Sequence, residues 1–248
     1  MDQRLFPQFP KIRPPLPPGH QAIYLEHYRV NRSGASPVTK WSARLERWMH
    51  RKVAADVRGE INTALDTLEI GAGNLNHLSH EHPVKYDIIE PFRDMYINSS
   101  SLPRVRQVFD DIGNIPREQL YDRIISIATL EHLTDLPRVI AFAVLHLKPR
   151  GSLRVAIPSE GAVPWRLAVT LSTGIEFYLK YRLRYSTLMQ YEHVNNWKEI
   201  RLVLGSFFSR ISDSCFGFSP RLSLYQFYHC QSPRIDVSKQ YLSSIGEL

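Results

Sequence analysis

Cysteine is scarce in this chain, whose 248 residues include only Cys215 and Cys230. Two cysteines are too few for the disulfide framework of a small secreted protein, and their spacing is not that of a zinc site. We expect reduced thiols in the core, although the pair could face each other across a hairpin.

Long apolar runs are also lacking. The longest uncharged apolar stretch lies around residues 139–147, about half of what a bilayer-spanning helix requires. The first residues carry charge with no apolar segment behind it, so no secretory signal is predicted. These absences predict a cytoplasmic protein without a transmembrane segment and leave peripheral membrane contact open. The charged fraction of 22% is ordinary for a folded globule, which argues against a disordered chain.

Positive charge is concentrated near the N-terminus. The formal net charge is +7, and residues 1–60 hold eleven Lys and Arg against five Asp and Glu. Such a surplus indicates either a solvated face or an anionic partner, such as a phosphorylated carrier, a membrane surface or nucleic acid. Both interpretations stay open at this point.

The first 60 residues are predicted to form a Pro-rich basic arm followed by helices. Six of the seventeen prolines fall within the first twenty residues, which favours an extended arm. Apolar residues then recur at helical spacing between Ala22 and Arg58, with a break at residues 33–37, and this pattern predicts two helices. Residues 61–248 are predicted to form the main domain.

From Gly59 onward, short β-prone runs alternate with helix-length segments. This alternation is typical of βαβ units and predicts a parallel sheet. A helix starting at Asp135 and Pro137 is predicted to end at Lys148–Gly151, and another helix covers residues 197–208. The predicted strands are 64–70, 85–89, 104–109, 121–128 and 152–157, followed by an antiparallel pair at 209–218 and 222–230. The expected fold is therefore α/β: a Rossmann-like, doubly wound, mostly parallel seven-stranded sheet with an antiparallel C-terminal hairpin, plus N-terminal helices.

A glycine-containing turn follows the first predicted strand. Gly71 and Gly73 let the backbone approach a ligand closely, and a helix start behind them would offer free N–H groups. Asn76 stands where the dinucleotide fingerprint needs its third glycine, which disfavours pyrophosphate binding. Polar residues follow the next strands in the same way: Glu90, then Asp110 and Asp111, then the run from Thr129 to Leu133. Because the carboxyl ends of parallel strands meet at one edge, these residues are expected to surround one ligand.

Taken in order, these pieces resemble the class I S-adenosylmethionine-dependent methyltransferases, and more narrowly the type 11 methyltransferases. The resemblance covers residues 64–159 and includes Glu69–Gly73, Tyr86–Glu90, Phe109–Ile112, Leu130–Leu133 and Leu147–Leu153. It implies S-adenosyl-L-methionine as the cofactor. The cofactor-binding residues that it implies are Glu69, Gly71 and Gly73 of the first motif, with the glycines under the methionine portion, Glu90 on the ribose, Asp111 with Ile112 at the adenine, and Thr129 near the reacting methyl.

A predicted insertion at about residues 160–196 would form a substrate lid. Its aromatic residues are interleaved with Arg and Lys, which suits stacking on a sugar or base beside a phosphate, or equally an amphipathic helix packed on the sheet edge. His193 and His132 are candidate bases for a hydroxyl acceptor, because imidazole titrates near neutral pH; a structural role is the alternative for both. Glu192 and Asn195 are expected to orient His193.

These observations and the resemblance predict an enzyme, a methyltransferase. The favoured reaction is O-methylation of a sugar, a glycan or a carrier-linked small acceptor, which could be phosphorylated or lipid-linked. The Pro-rich arm together with residues 191–196 also resembles methyltransferases of bacterial surface-polysaccharide assembly. A nucleic-acid methyltransferase is the alternative, supported by the basic extension and weakened by the lack of an Asn/Asp-Pro-Pro-Tyr/Phe element after the fourth strand. A non-catalytic partner domain that binds S-adenosylmethionine is the other alternative.

Three histidines close in sequence, His77, His80 and His82, raise the question of a metal site. They fall on the predicted first crossover helix and its exit, where exposed histidines are common, so no metal is predicted. Glu131 is expected to orient a backbone group or an Arg rather than to take part in chemistry.

Overall fold

One β-sheet organises the chain. The computed structural model describes residues 6–24, 40–57, 65–81, 85–170 and 174–248, and within them seven strands form a sheet in the order β3-β2-β1-β4-β5-β7-β6. The strands are β1 (Asp66–Ile70), β2 (Lys85–Ile89), β3 (Gln107–Phe109), β4 (Tyr121–Ile127), β5 (Leu147–Pro158), β6 (Phe208–Ser219) and β7 (Leu222–Pro233). The first five run parallel to one another, and β7 runs antiparallel to both β5 and β6. The predicted fold class is confirmed.

The register of the parallel strands aligns their carboxyl ends. Ile70 at the end of β1 lies opposite Ile89 of β2 on one side and Ser126 of β4 on the other. Ile89 in turn lies opposite Phe109, the last residue of β3. The loops that follow these strands therefore emerge together, at the edge where parallel α/β sheets bind ligands.

Helices pack on both faces of the sheet. Residues 18–24 are helical, and the other helices are Lys40–Val53, Arg93–Tyr96, Leu136–Leu145, Val163–Val169, Ile175–Tyr181, Tyr185–Glu192, Trp197–Phe207 and Ile235–Ser244. Strand β5 shows the two-sided burial: Val155 belongs to the larger core, with the helices of residues 136–145, 197–207 and 235–244, whereas Ala156 belongs to a second core on the other face. Both faces of β5 are buried, as expected for a central strand.

Side-chain caps fix the start of two of these helices. The Asp135 carboxylate accepts a hydrogen bond from the Arg138 backbone N–H, so the predicted start of that helix is correct. The Trp197–Phe207 helix begins with a capping box between Asn196 and Glu199, each side chain bonding the other residue's backbone N–H.

The predicted helix end at Lys148–Gly151 is wrong, because the helix ends at Leu145 and these residues lie within β5. Leu147 pairs with Tyr121, and the register then shifts before the next pair. The Lys148 ammonium also bonds the carboxylates of Asp66 and Asp122, both at 2.8 Å. These contacts join residues far apart in sequence, so helix periodicity could not indicate where the strand begins.

The predicted first crossover helix is also absent from the described residues between β1 and β2, which contain only a short 3₁₀ segment, Asn76–His80. The face that a crossover helix would cover is instead packed by the Lys40–Val53 helix. Its residues Met49 and Val53 are buried in the second core with Tyr86 and Ile88 of β2. A helix from the N-terminal part of the chain thus covers this face of the sheet.

The Pro-rich arm is packed against the main domain. Phe6 is buried in the larger core and stacks on Phe207, with 5.8 Å between ring centroids. Leu16 forms a small separate core with Phe177 and Leu188 of the 160–196 insertion. The break predicted at residues 33–37 lies outside the described residues.

The two cysteines do not face each other. On the β6–β7 pair, Cys215 lies opposite Gln226, and Cys230 lies opposite Ile211. Both thiols are free; Cys230 is buried and Cys215 is half-buried. Among the described residues, no helix has the length and apolar character needed to cross a membrane.

Candidate active site

The glycine turn after β1 has a backbone that favours glycine. Gly71 and Gly73 have φ angles of +74° and +52°, in the left-handed region that side chains rarely adopt. A Cβ placed on Gly71 would lie 2.8 Å from Thr129 Cβ and closer still to the rest of that side chain. The Thr129 hydroxyl in turn donates to the Gly71 carbonyl at 3.3 Å. The ends of β1 and β4 are therefore in direct contact, as the predicted site requires.

Glu90 fixes the turn from the end of β2. Its carboxylate is buried and accepts hydrogen bonds from the backbone N–H of Gly73 at 2.8 Å and of Phe92 at 3.1 Å. A carboxylate has about four acceptor positions, so the remaining lone pairs are available to ligand hydroxyls. Glu90 thus holds the loop in place and can also bind a ligand.

Glu69 lies within the second core. Its carboxyl is buried and accepts a hydrogen bond of 2.8 Å from the Tyr86 hydroxyl. Burial raises the pKa of Glu69 to about 8, although the Tyr86 hydrogen bond opposes the shift, so the group is protonated at neutral pH. Its cofactor-binding role stays a prediction.

Asp111 follows β3 and is already engaged by protein groups. It accepts from the Gly113 backbone N–H at 2.8 Å and pairs with both terminal nitrogens of Arg138, at 2.9 and 3.1 Å. Burial raises the pKa of Asp111, but the hydrogen bonds and charge of Arg138 lower it more, so it lies below its usual value. The neighbouring Asp110 is exposed, and the Ile112 side chain is in the core. An adenine contact at Ile112 would therefore use its backbone.

A polar cluster forms where the loop after β4, which carries Glu131 and His132, meets Glu160 and His193 of the 160–196 insertion; we call these four residues the acceptor cluster. The imidazole rings of His132 and His193 meet edge to face with centroids 4.7 Å apart. His193 Nδ1 lies 3.0 Å from Glu160 Oε2, and His132 Nδ1 lies 3.0 Å from the Glu192 carbonyl oxygen. Because both partners are acceptors, each Nδ1 carries the proton. The structure thus brings together the two histidines that the sequence singled out.

Burial shifts the pKa of Glu131, and nearby carboxylates shift the pKa of His193. Burial raises the pKa of Glu131 to about 7, against the opposing charge of His193. For His193, burial lowers the pKa, but the Glu160 hydrogen bond and the nearby carboxylates raise it more, so the net shift is upward. Among the described residues, Oε2 of Glu131 has no hydrogen-bond partner.

The hydrogen bond to His193 Nδ1 comes from Glu160, a residue that the sequence did not indicate. Of the two residues expected to orient His193, Glu192 acts on it through its negative charge and bonds His132 with its backbone carbonyl. Asn195 instead holds the β4 loop: its side-chain amide donates to the carbonyls of Leu130 and Leu133 at 2.9 and 2.7 Å. The expectation for Glu131 is met only at its backbone, where its carbonyl accepts from the Asn195 N–H at 3.1 Å.

The N-terminal arm ties the insertion to this loop. Arg13 donates to the carbonyls of Tyr191 and Glu192 at 2.6 and 3.0 Å, and to the His132 carbonyl at 2.8 Å. Lys11 donates to the Val194 carbonyl at 2.8 Å and pairs with Glu199 at 2.7 Å. The charged groups of Lys11 and Arg13 therefore bind groups of the protein itself.

Most aromatic side chains of the 160–196 insertion pack against other apolar side chains of the protein. Phe177 is buried in the small core with Leu16, and residues Tyr181, Tyr185 and Tyr191 pack around it. Tyr178 is exposed. Trp165 contacts the acceptor cluster directly, because its indole N–H donates to the Glu160 oxygen that also bonds His193.

His77 and His80 are not exposed, contrary to the expectation from the sequence. His82 lies outside the described residues. His77 is buried; its Nε2 donates to Glu81 at 2.7 Å, and its Nδ1 lies 2.9 Å from Nδ1 of His50. Burial lowers the pKa of His77, which leaves it neutral and able to accept from His50. His80 stacks on His50 with 5.1 Å between centroids. This stack supports the segment that follows the glycine turn.

Sequence reasoning missed Glu160 as part of the site. It included Glu131 in the run after the fourth strand but gave it only an orienting role. For Glu160 the only signal was its place right after the fifth strand, and its partner is 33 residues away.

Comparisons with known proteins bear on the fold. No family model matches the sequence, and no curated protein does. Among solved structures, a methyltransferase from Thermotoga maritima aligns with a TM-score of 0.53 at 14% identity, over 86% of this chain and 98% of its own. The N-methyltransferase NodS from Bradyrhizobium japonicum, solved with S-adenosyl-L-homocysteine, gives 0.53 at 14% identity, over 87% and 99%. The plantazolicin methyltransferase BpumL, also solved with S-adenosyl-L-homocysteine, gives 0.55 at 11% identity, over 86% and 93%. The chain therefore has the fold of S-adenosylmethionine-dependent methyltransferases.

Proposed function

We propose that the chain is an enzyme that transfers the methyl group of S-adenosylmethionine to a hydroxyl of a small acceptor. The observation that carries the proposal is the contact between the two halves of the site. The glycine turn and Glu90 on one side meet Thr129 and the acceptor cluster on the other, through the Gly71–Thr129 contact.

The cofactor half is proposed at the carboxyl edge of β1 to β3. Gly71 and Gly73 would lie under the methionine portion, Glu90 would accept hydrogen bonds from the ribose hydroxyls, and Asp111 would face the adenine. The fixed Glu90 carboxylate supports this assignment, since an oriented acceptor binds a diol without reorganising. NodS and BpumL share the fold and were each solved with S-adenosyl-L-homocysteine.

The acceptor half is proposed at the cluster of Glu131, His132 and His193. A sulfonium methyl is already activated, so transfer depends mainly on proximity and orientation of the acceptor oxygen. The carbon–sulfur bond breaks as the carbon–oxygen bond forms, and the hydroxyl proton must leave. His132 and His193 are the side chains that bind this hydroxyl and promote loss of its proton, which is a demand that an amine acceptor does not make.

We propose a sugar, a glycan or a carrier-linked molecule as the acceptor, with surface-polysaccharide assembly as the setting. This narrower proposal is supported by the sequence resemblance of the arm and residues 191–196, two segments that Arg13 joins in the structure. The nucleic-acid alternative loses part of its support, because Lys11 and Arg13 of the basic arm are engaged by carbonyls and by Glu199.

The test is a screen with S-adenosylmethionine carrying a labelled methyl group. Sugar nucleotides, lipid-linked glycans, small phenols and oligonucleotides are offered separately, and products are identified by mass spectrometry. The proposal expects label on an oxygen of a non-nucleic-acid acceptor. Label on a nitrogen, or on the oligonucleotide alone, would reject hydroxyl methylation of a small acceptor while keeping the enzyme class.

A further inference from the structure

The acceptor cluster has the composition and spacing of a metal centre. Glu131, His132 and His193 each offer a ligand atom, and these atoms all lie within 4.8 Å of one another. Metal–ligand bonds of about 2.1 Å place neighbouring ligands of a tetrahedral ion about 3.4 Å apart, so the separations between the ligand atoms need to shrink by at most about 1.4 Å to close the site around such an ion. We infer that these three side chains bind a divalent transition-metal cation. The inference concerns a different place from the His77 segment considered from the sequence.

Both imidazoles are held as metal-bound histidines usually are. Each donates its Nδ1 proton to an acceptor outside the cluster, His193 to the Glu160 carboxylate and His132 to the Glu192 carbonyl. Such outer hydrogen bonds fix the tautomer and the ring orientation, leaving Nε2 as the ligand atom. Nε2 of His132 lies 3.9 Å from Oε1 of Glu131.

Glu131 provides an independent observation that points to a cation. The residue is 1% exposed, and its Oε2 atom has no hydrogen-bond partner in the part of the chain that the structure describes. Buried carboxylate oxygens are almost always satisfied by a donor or an ion, because leaving one unpaired in the interior is costly. Within the described residues, Arg13 is the cation that bonds this loop, and it does so at backbone carbonyls of His132, Tyr191 and Glu192.

The backbone around the ligands is fixed from two sides, so the site is preorganised. Glu131 and His132 are consecutive residues of one 3₁₀ segment. Asn195 bonds two carbonyls within this segment, those of Leu130 and Glu131, and the Leu133 carbonyl directly after it, and Arg13 bonds the His132 carbonyl from the arm. His193 lies two residues before Asn195, so the same contacts position it.

The ligand set indicates which cations fit. Two imidazole nitrogens and one carboxylate suit Zn²⁺, Mn²⁺, Fe²⁺ or Co²⁺, whereas Mg²⁺ and Ca²⁺ prefer ligand sets made wholly of oxygen. Three protein ligands leave coordination positions open, as in catalytic rather than structural sites. A tetrahedral ion would have one open position for an acceptor oxygen. A five- or six-coordinate ion would have at least two, which suit a pair of neighbouring hydroxyls such as those of a sugar.

This role rests on the proposed function and specifies how the hydroxyl is activated. A bound divalent cation lowers the pKa of a coordinated water from 15.7 to about 7, and an acceptor hydroxyl would be affected in the same direction. Its proton passes to solvent, the carbon–oxygen bond forms as the carbon–sulfur bond breaks, and S-adenosylhomocysteine and a methyl ether leave. The histidines then act as ligands, not as the proton acceptor.

The test is calorimetric titration of the chelator-treated full chain with ZnCl₂, MnCl₂ and MgCl₂ in separate runs. We expect one Zn²⁺ or Mn²⁺ per chain and much weaker Mg²⁺ binding. His193→Ala and Glu131→Gln should abolish this event, and Glu160→Gln should weaken it about tenfold to a hundredfold through the lost outer hydrogen bond. The matched control is His80→Ala, which alters the other histidine group and should leave the titration unchanged.

Two results would overturn the inference: no stoichiometric binding of any of these ions to the wild type, or binding that survives in His193→Ala and is lost in His80→Ala. The same samples are titrated with S-adenosylhomocysteine, which reports folding of each variant. Retained S-adenosylhomocysteine binding without metal binding rejects the metal site alone. Metal binding without S-adenosylhomocysteine binding rejects the proposed function and leaves the metal site standing.

Discussion

Glu90 offers the sharpest test of where the cofactor binds, because one carboxylate supports both the loop and the proposed ribose contact. It accepts two backbone N–H groups, from Gly73 at 2.8 Å and from Phe92 at 3.1 Å. Charge-assisted hydrogen bonds contribute about 1.5 to 3 kcal/mol. Losing those to the ribose corresponds to a fall in cofactor affinity of about tenfold to a hundredfold.

Two substitutions separate the two roles. Glu90→Ala also leaves the Gly73 and Phe92 donors unpaired, at about 1 to 3 kcal/mol for each that water does not reach, so both the affinity and the melting temperature should fall. Glu90→Gln keeps one carbonyl acceptor but loses the charge, so most of the affinity loss should remain while the stability loss shrinks. Affinity is measured by calorimetry with S-adenosylhomocysteine, and stability by thermal unfolding.

The control is Asp94→Asn, which removes an exposed carboxylate from the short helix that follows Glu90. It should change neither quantity. A folded Glu90→Gln protein with wild-type affinity would refute the reasoning, because it would show that the ordered carboxylate does not contact the cofactor.

Three further predictions follow from other contacts. Gly71→Ala should abolish S-adenosylhomocysteine binding, because a Cβ there overlaps Thr129; adding Thr129→Gly should restore part of the affinity in calorimetry, and no rescue would mean that the φ of +74° dominates. Burial raises the pKa of Glu81, but hydrogen bonds from His77 and Arg123 lower it to about 2 from its ordinary 4.5. Since the folded-state pKa is depressed, this stability is present above pH 4.5 and is lost as the pH falls toward 2. Glu81→Gln should therefore lower the free energy of unfolding by about 3 kcal/mol at pH 7. It should also flatten the fall of this free energy with decreasing pH, measured by urea titration. An unchanged pH profile of the free energy of unfolding would contradict the lowered pKa of Glu81. Arg13→Ala should lower turnover and melting temperature but not cofactor affinity, because it removes the bonds that join residues 191–192 of the insertion to the His132 loop. The control is Arg117→Ala, which changes an exposed arginine. Equal effects of the two substitutions would contradict the role of the arm.

Much of the fold could be predicted because β-prone runs and turn residues are local signals. The strand that ends at Ile70 and the one at 85–89 were placed correctly at their carboxyl ends, and so was the start of the helix after Asp135. The predictions that were wrong concerned elements whose position depends on residues distant in sequence. The Lys40–Val53 helix covers a face of the sheet that a crossover helix was expected to cover, and nothing in the local sequence of residues 76–80 indicates this.

The candidate site divides in the same way. Residues that follow strand ends, such as Gly71 and Glu90, could be placed from topology alone. The acceptor cluster could not, because it is assembled by side-chain contacts between the β4 loop, the insertion and the arm. His193 was selected for its imidazole, but its partner Glu160 emerges only from the packed structure, where the Glu160 hydrogen bond helps to raise the pKa of His193 against the effect of burial.

The most direct test of the central claim is a calorimetric titration of the wild-type full chain with S-adenosylmethionine, with NAD in a parallel run. The account predicts one binding event for S-adenosylmethionine, competed by S-adenosylhomocysteine, and none for NAD. Absence of S-adenosylmethionine binding, or binding of NAD in its place, would contradict it.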